Sequence, residues 1–553
     1  MLDYLRIGPA EISDLAEEEF VRMRDGVRLA TDVYLPTTID GGRDHSPGDT
    51  ILIRLPYDKS GEYTFIPLIA EYFMARGYRV VAQDVRGKFR SEGEALLFVN
   101  EARDGYDTID WITHQRWSNG RVAMWGDSYY GFTQWAAAST QHPALKAIAP
   151  RVTGTQLGEP VRHEPGAATS AVEWAITYLY PVSYFHSEDA YFWEMDWSRR
   201  PFAAQVEEFH EAVGRRSRSY DQWYPKPVRL RRFPDGHPFD ARPLPVLHTI
   251  GWWDNCAPLS WADVAEIERR PGWAHNHFLR IESMDHESYY LDDTPEQRTA
   301  ERSEDQIRAE LPRMLDPALE FFEVFVRHNG SATDIPRVAW NLAGTEGMRS
   351  SGSWPPAGVT PRTLVATADG GLADEPARAP REVTWTHDPD DPVPSSVDNA
   401  FAFLQDRPDE APLGDRADVL AFTSEPFVRA VDLVGPVRAT ATVSGDGPCL
   451  DLFVRLLDLA PDGTALRIAR GQVHVLDAST PTRVDVDLGQ LGYRVEAGHA
   501  LRVHVSGSDA PEFIPLPGTG DEPWGATETR VNTNRIVIGG PDGLALSVSV
   551  LEA

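Results

Sequence analysis

Trp125-Gly126-Asp127-Ser128-Tyr129-Tyr130-Gly131 is the stretch on which the reading of this chain turns. Ahead of it, residues 121–125 form a short apolar run entered from the turn pair Asn119-Gly120. Behind it, residues 132–138 are good helix formers. Strand, tight turn and helix with a serine at the apex is the pattern of a nucleophile elbow. Such a turn lifts the Ser128 hydroxyl clear of a sheet. It also aims the first N–H groups of the helix at the place where negative charge would develop. Gly126 fits because a side chain two residues before the serine would collide with the turn. The usual second glycine, two residues after the serine, is Tyr130 here, and the glycine stands one place later at Gly131.

On either side of the elbow, strand and helix patterns alternate. Residues 51–55, 78–83, 145–149, 246–250 and 277–281 read as apolar strands. Residues 66–76, ended by Gly77, and residues 100–113 read as helices, as do residues 317–328. Asp25-Gly26 lies between alternating runs and predicts a hairpin. This alternation predicts a mostly parallel sheet with helices on both faces. It stops between residues 151 and 245, a stretch dense in aromatics, including Trp174, Tyr178, Tyr184 and Phe185, that reads as a helical cap. After Gly330 helical spacing disappears, and short alternating strands punctuated by turns predict an all-β sandwich or jelly roll. The expected division is a first core segment over residues 1–150, the cap over 151–245, a second core segment over 246–335 and the β part over 336–553.

The chain has 553 residues and a formal charge of −31, so it is more than one domain and lacks the basic footprint that nucleic acid requires. Lysine occurs only at positions 59, 88, 146 and 226. Cys256 and Cys449 are too few for a disulfide framework and do not form a zinc-type cluster. Residues 1–20 lack the basic and apolar regions of a secretory signal, and no apolar run is long enough to span a bilayer. The expectation is a cytoplasmic protein with no membrane, metal or cofactor requirement; a homodimer stays open.

A serine hydroxyl is a poor nucleophile until a base takes its proton and an acid orients that base. On a doubly wound sheet the order is serine, then Asp or Glu, then His, each at the C-terminal end of a strand. Ser128, Asp254 and His286 satisfy order and placement. Among rivals for the histidine, His248 falls inside a strand, and His275 and His277 precede one. Asp285 and Glu287 flank His286, and either could orient it. The backbone N–H of Tyr129 is one candidate oxyanion donor, and Tyr57, in the loop after an early strand, is placed where the second should be. Trp174 and Tyr178 of the cap, with Trp253 beside Asp254, are the expected pocket walls. Cys256 reads as a small buried residue.

Taken together, Gly126-x-Ser128-Tyr129-x-Gly131, Leu55-Pro56-Tyr57-Asp58-Lys59, Asp84-Val85-Arg86-Gly87 and Gly251-Trp252-Trp253-Asp254 resemble the CocE/NonD hydrolases, relatives of the X-Pro dipeptidyl-peptidases and α-amino acid ester hydrolases. The resemblance extends to Phe422-Thr423-Ser424-Glu425-Pro426 and covers nearly the whole chain. It implies an α/β-hydrolase core with a helical cap insertion and a C-terminal all-β jelly-roll domain. It implies Ser128 as nucleophile, His286 as base, Asp254 as orienting acid, and the Tyr57 hydroxyl with the Tyr129 N–H as oxyanion donors. The implied reaction is hydrolysis of a small-molecule carboxylic ester through an acyl-enzyme. Amide hydrolysis, acyl transfer or X-Pro dipeptidyl-peptidase-like cleavage are the alternatives on the same machinery. The amino-ester hydrolases hold a substrate ammonium with carboxylates shortly after the acid. Here those positions are the neutral Asn255-Cys256-Ala257-Pro258, which disfavours an α-amino substrate unless cap carboxylates such as Glu188-Asp189 replace them.

Overall fold

The structure is a computed structural model that describes residues 9–159, 170–182, 193–228, 230–299, 301–374, 379–397 and 399–552. Ten strands form the first sheet: β1 Ala16–Arg22, β2 Arg28–Tyr34, β3 Gly48–Leu55, β4 Arg79–Asp84, β5 Ser118–Asp127, β6 Leu145–Arg151, β7 Val246–Gly251, β8 His277–Glu282, β9 Val338–Asn341 and β10 Met348–Ser351. Their order is β1-β2-β4-β3-β5-β6-β7-β8-β9-β10. The run from β4 through β9 is parallel, and antiparallel pairs close both edges.

Strands buried on both faces send alternate side chains to opposite cores. Ile51, Ile53, Ala123 and Trp125 enter one apolar cluster, while Leu52, Val122 and Met124 enter another. Helix α1, Ile66–Met74, covers the first face. Helices α2, Glu101–Thr113, and α3, Ser128–Ser139, supply Ile109, Ile112 and Trp135 to the second. The insertion between β6 and β7 contains helices α4, Ala171–Tyr178, and α5, Phe202–Val213.

Two differences from the sequence expectation have clear physical causes. The helix expected over residues 317–328 is the last third of a longer one, Glu304–Phe325. Pro312 and Pro317 lie inside it, and its start is set by a capping box between Ser303 and Gln306. Second, β9 and β10 continue the first sheet past residue 336, so the all-β pairing proper begins at Val359. From there to Leu551, eleven strands form a second, almost wholly antiparallel sheet. Its apolar residues, such as Leu433 and Leu452, share one core with Ile250 and Val264 of the α/β part. Among the described residues, no helix is long and apolar enough to cross a membrane.

Candidate active site

Strand β5 runs directly into α3, and the junction is strained as an elbow must be. Ser128 has φ 50°, and Gly126 has φ 149°. A Cβ on Gly126 would overlap the ring of Tyr130. A Cβ on Gly131 would stand 2.6 Å from Thr153 Cγ2, so this shifted glycine lets α3 press against the loop after β6. Tyr129 is pinned from behind: its hydroxyl donates to Glu101 Oε1 at 2.8 Å and accepts from the Phe98 N–H at 2.8 Å. Glu101 in turn pairs with Arg54 at 2.9 Å, and both are buried. Asp127, beside the serine, faces Arg151 Nε at 3.3 Å. Arg151 also donates to the Met314 carbonyl at 3.0 Å and to Ser288 Oγ at 3.2 Å, tying the elbow to the loop after β8.

Asp254 and His286 lie in loops after adjacent parallel strands. The loops are knitted together by Trp252 N–H to the Glu282 carbonyl at 2.9 Å and Trp253 N–H to the Met284 carbonyl at 3.1 Å. Gly251 permits this, since a Cβ there would overlap the Met284 carbonyl oxygen. His286 Nδ1 and Asp254 Oδ1 are 2.7 Å apart. A carboxylate only accepts, so Nδ1 carries the proton and Nε2 is left as an acceptor. The same Asp254 oxygen accepts the Cys256 N–H at 2.9 Å.

Of the flanking acids, Asp285 does not touch the ring. It accepts the N–H groups of Glu287, Tyr289 and Leu404 at 3.1, 3.0 and 2.9 Å. It therefore fastens the histidine loop to itself and to the β part, and burial pushes its carboxyl well up. Phe401 lies against the imidazole, with ring centroids 5.1 Å apart.

Tyr57, Ser128, Tyr129, Cys256 and His286 line one cavity of about 310 Å³. The Tyr57 hydroxyl reaches both the Ser128 side chain and the Tyr129 backbone N–H. Burial pushes its ionisation upward, so it stays a protonated donor. Cys256 is buried, its thiol is pushed up by that burial, and its sulfur lies within 4.8 Å of a His286 ring nitrogen. For His286, burial opposes the charged ring while Cys256 and Asp254 favour it, and the net displacement is well above its ordinary value. Asp254, Cys256 and His286 are also the described group whose ligand atoms lie close enough together, within 4.8 Å of one another, to hold a metal ion.

The expected pocket walls are corrected. Trp174 and Tyr178 sit on the far face of α4: Trp174 stacks on Trp524 with centroids 4.5 Å apart, and Tyr178 packs among Trp193, Phe209 and Tyr220. Their helix neighbours Val172, Glu173, Ile176 and Tyr180 line the cavity instead. Both faces of α4 are buried, so periodicity alone does not choose between them. Trp253 faces a separate cleft and packs edge-on against Tyr493 at 6.4 Å. Tyr184, Phe185, Glu188 and Asp189 lie outside the described residues. Glu287, named from the sequence as a possible orienter of the histidine, lies in the cavity wall and accepts from Tyr63 at 3.1 Å; missed from the sequence were the Arg302–Glu310 pair at 2.7 Å and the Arg470–Glu512 pair contributed by the β part. Only the third dimension gathers them.

Residues 25–280 match the model of the X-Pro dipeptidyl-peptidase (S15) family, and residues 329–542 match the X-Pro dipeptidyl-peptidase C-terminal non-catalytic domain. Cocaine esterase from a Rhodococcus species is 28% identical over 569 residues, covering 92% of this chain and 93% of that protein. The chain is similar to the S15 and cocaine-esterase-like serine hydrolases over most of its length. This hydrolase shares its fold with an aminopeptidase from a marine sediment archaeon, Thaumarchaeota archaeon, at TM-score 0.78 and 21% identity. It shares it equally with an α-amino acid ester hydrolase, at TM-score 0.77 and 22% identity; each likeness covers 98% of both chains. With such relatives the protein is a hydrolytic enzyme of ester or peptide bonds, with an α/β-hydrolase core and an all-β C-terminal domain.

Proposed function

We propose that the protein cleaves small carboxylic esters through an acyl-enzyme on Ser128. The observation that carries this reading is one cavity holding Ser128, the Tyr57 hydroxyl and a histidine whose far nitrogen is anchored 2.7 Å from Asp254. Ser128 Oγ attacks the ester carbonyl carbon while His286 Nε2 takes the hydroxyl proton. Negative charge gathers on the former carbonyl oxygen, where the Tyr57 hydroxyl and the Tyr129 N–H donate. Collapse of this intermediate breaks the bond to the alkoxy oxygen, and His286 returns the proton to the leaving alcohol. Water then attacks the acyl carbon with His286 again as base, releasing the acid and restoring Ser128. Asp254 keeps the ring in the productive tautomer and balances the transient imidazolium. Ile69, Ile176, Leu259 and Ile307 give the cavity apolar walls, and its volume suits a compact acyl or leaving group. The relative named cocaine esterase supports an ester substrate.

A second reading, an ester or amide bearing a protonated amine, is favoured by Glu173 and Glu287 in the cavity wall. The sequence offered no such carboxylates after Asp254. Hydrolysis of p-nitrophenyl esters from acetate to octanoate, beside aminoacyl p-nitroanilides, separates the two. For the ester reading, the neutral esters turn over and Ser128→Ala falls by about 10⁶-fold in kcat. Equal rates in wild type and variant, with no fluorophosphonate labelling of Ser128, refute it.

A further inference from the structure

Cys256 takes no part in the proposed ester chemistry, yet it touches the group on which that chemistry depends. Its sulfur lies within 4.8 Å of a His286 ring nitrogen, its backbone N–H binds Asp254 Oδ1 at 2.9 Å, and its side chain faces the substrate cavity. The ligand atoms of Asp254, Cys256 and His286 lie within 4.8 Å of one another. One further atom points to a ligand: Asp254 Oδ2 is buried and has no hydrogen-bond partner among the described residues. A sulfur, an imidazole nitrogen and a carboxylate oxygen are the donors that borderline-soft divalent cations select, and hard cations such as Mg²⁺ do not.

We propose that Asp254, Cys256 and His286 form an inhibitory site for a thiophilic divalent cation of the zinc type. Zinc–ligand bonds of about 2.0–2.3 Å put tetrahedral donor atoms roughly 3.3–3.7 Å apart. Closing the cluster around an ion therefore asks for movements of about 1 Å at most, within the reach of side-chain rotation. The binding step is a ligand exchange without redox change. Cys256 loses its thiol proton to solvent, the sulfur, one ring nitrogen and one carboxylate oxygen each donate an electron pair, and the six-coordinate aqueous ion sheds five of its waters on becoming tetrahedral. Its fourth position keeps a water that faces the cavity.

Inhibition follows whichever ring nitrogen the ion takes. On Nε2 the ion occupies the lone pair that must receive the Ser128 proton. On Nδ1 it replaces the proton there, so the neutral ring carries its hydrogen on Nε2 and again has nothing with which to accept. Asp254 is drawn from its orienting role into the coordination shell in either case.

The inference rests on the reading of His286 as the base, and the test separates the two. Cobalt(II) is titrated into the metal-free full-length protein and the thiolate-to-cobalt charge-transfer absorption in the near ultraviolet is followed. Ester turnover is measured in parallel against Zn²⁺, then after a chelator. The proposal expects the absorption in wild type and in Cys449→Ala, and its loss in Cys256→Ala and Cys256→Ser. It expects Zn²⁺ inhibition that the chelator reverses, with the variants at Cys256 needing at least tenfold more Zn²⁺ for half inhibition relative to their own metal-free rates. Absorption that disappears instead in Cys449→Ala, or Zn²⁺ sensitivity unchanged by Cys256→Ala, overturns it. Charge-transfer absorption dependent on Cys256 in a protein that turns over no ester would support the metal site and count against the ester reading alone.

Discussion

Tyr57→Phe isolates one oxygen atom. The ring of Tyr57 meets Tyr63, Tyr129 and Tyr130 edge-on, with centroids 5.9, 6.4 and 6.2 Å apart, and phenylalanine keeps all three contacts. What disappears is a hydroxyl that reaches Ser128 and the Tyr129 N–H in the resting enzyme. A hydrogen bond of that kind contributes about 1 kcal/mol to folding, so thermal stability should move by no more than a few degrees. Its weight in the transition state is larger, because the oxygen that replaces it as partner is then an anion in a site shielded from water. Removal of one such donor costs about 10²–10³ in kcat, or roughly 2.7–4 kcal/mol. The assay is steady-state hydrolysis of p-nitrophenyl butyrate, with fluorophosphonate labelling rates measured alongside. A kcat within threefold of wild type in a folded variant would refute the assignment of Tyr57 as an oxyanion donor. A change confined to KM would make it a substrate contact instead.

Four further outcomes are expected. His286 is held well above its ordinary value near 6.5, and only the neutral ring can accept a proton, so kcat/KM should rise with pH along a limb lying above 6.5. Asp254→Asn removes one of the two groups that raise it, Cys256 being the other, so the limb should move to lower pH while kcat falls by about 10⁴-fold; a stationary limb contradicts the account. Gly126→Ala forces a side chain into the Tyr130 ring at a positive φ, and fluorophosphonate labelling of Ser128 should slow at least tenfold; wild-type labelling would mean the elbow is looser than it looks. Glu101→Gln strands the buried Arg54 charge and should cost about 3–5 kcal/mol in urea unfolding, whereas a loss below 1 kcal/mol would show that Arg54 finds another partner.

Local chemistry was the legible part of this chain. A glycine, a serine and the switch from strand to helix are read within a dozen residues, and Asp254 and His286 could be placed because each follows a short apolar run. The face of α4 was not legible, since Trp174 and Ile176 are both apolar and both buried, and only packing against Trp524 separates them. The helix start at Glu304 was hidden by two internal prolines that look like breakers when seen in one dimension. Nor could Leu404 and Phe401 be connected to the histidine loop, because the bond to Asp285 joins positions 119 apart. Polar residues gathered from distant segments leave no periodic signature.

The cavity wall includes Arg470, Gln472 and Phe513, and Ala171 and Ala203 of the cap bind the carbonyls of Glu512 and Trp524 at 3.0 and 2.9 Å. A ribosome makes the serine elbow first and these partners hundreds of residues later, which at ordinary elongation rates is a delay on the order of tens of seconds. Throughout that interval the nascent chain holds a nucleophile without its enclosure. Competence to bind substrate therefore arrives only once these β-part residues have been made, and a ribosome that stalls before Phe513 leaves a chain that carries the serine but not the chamber.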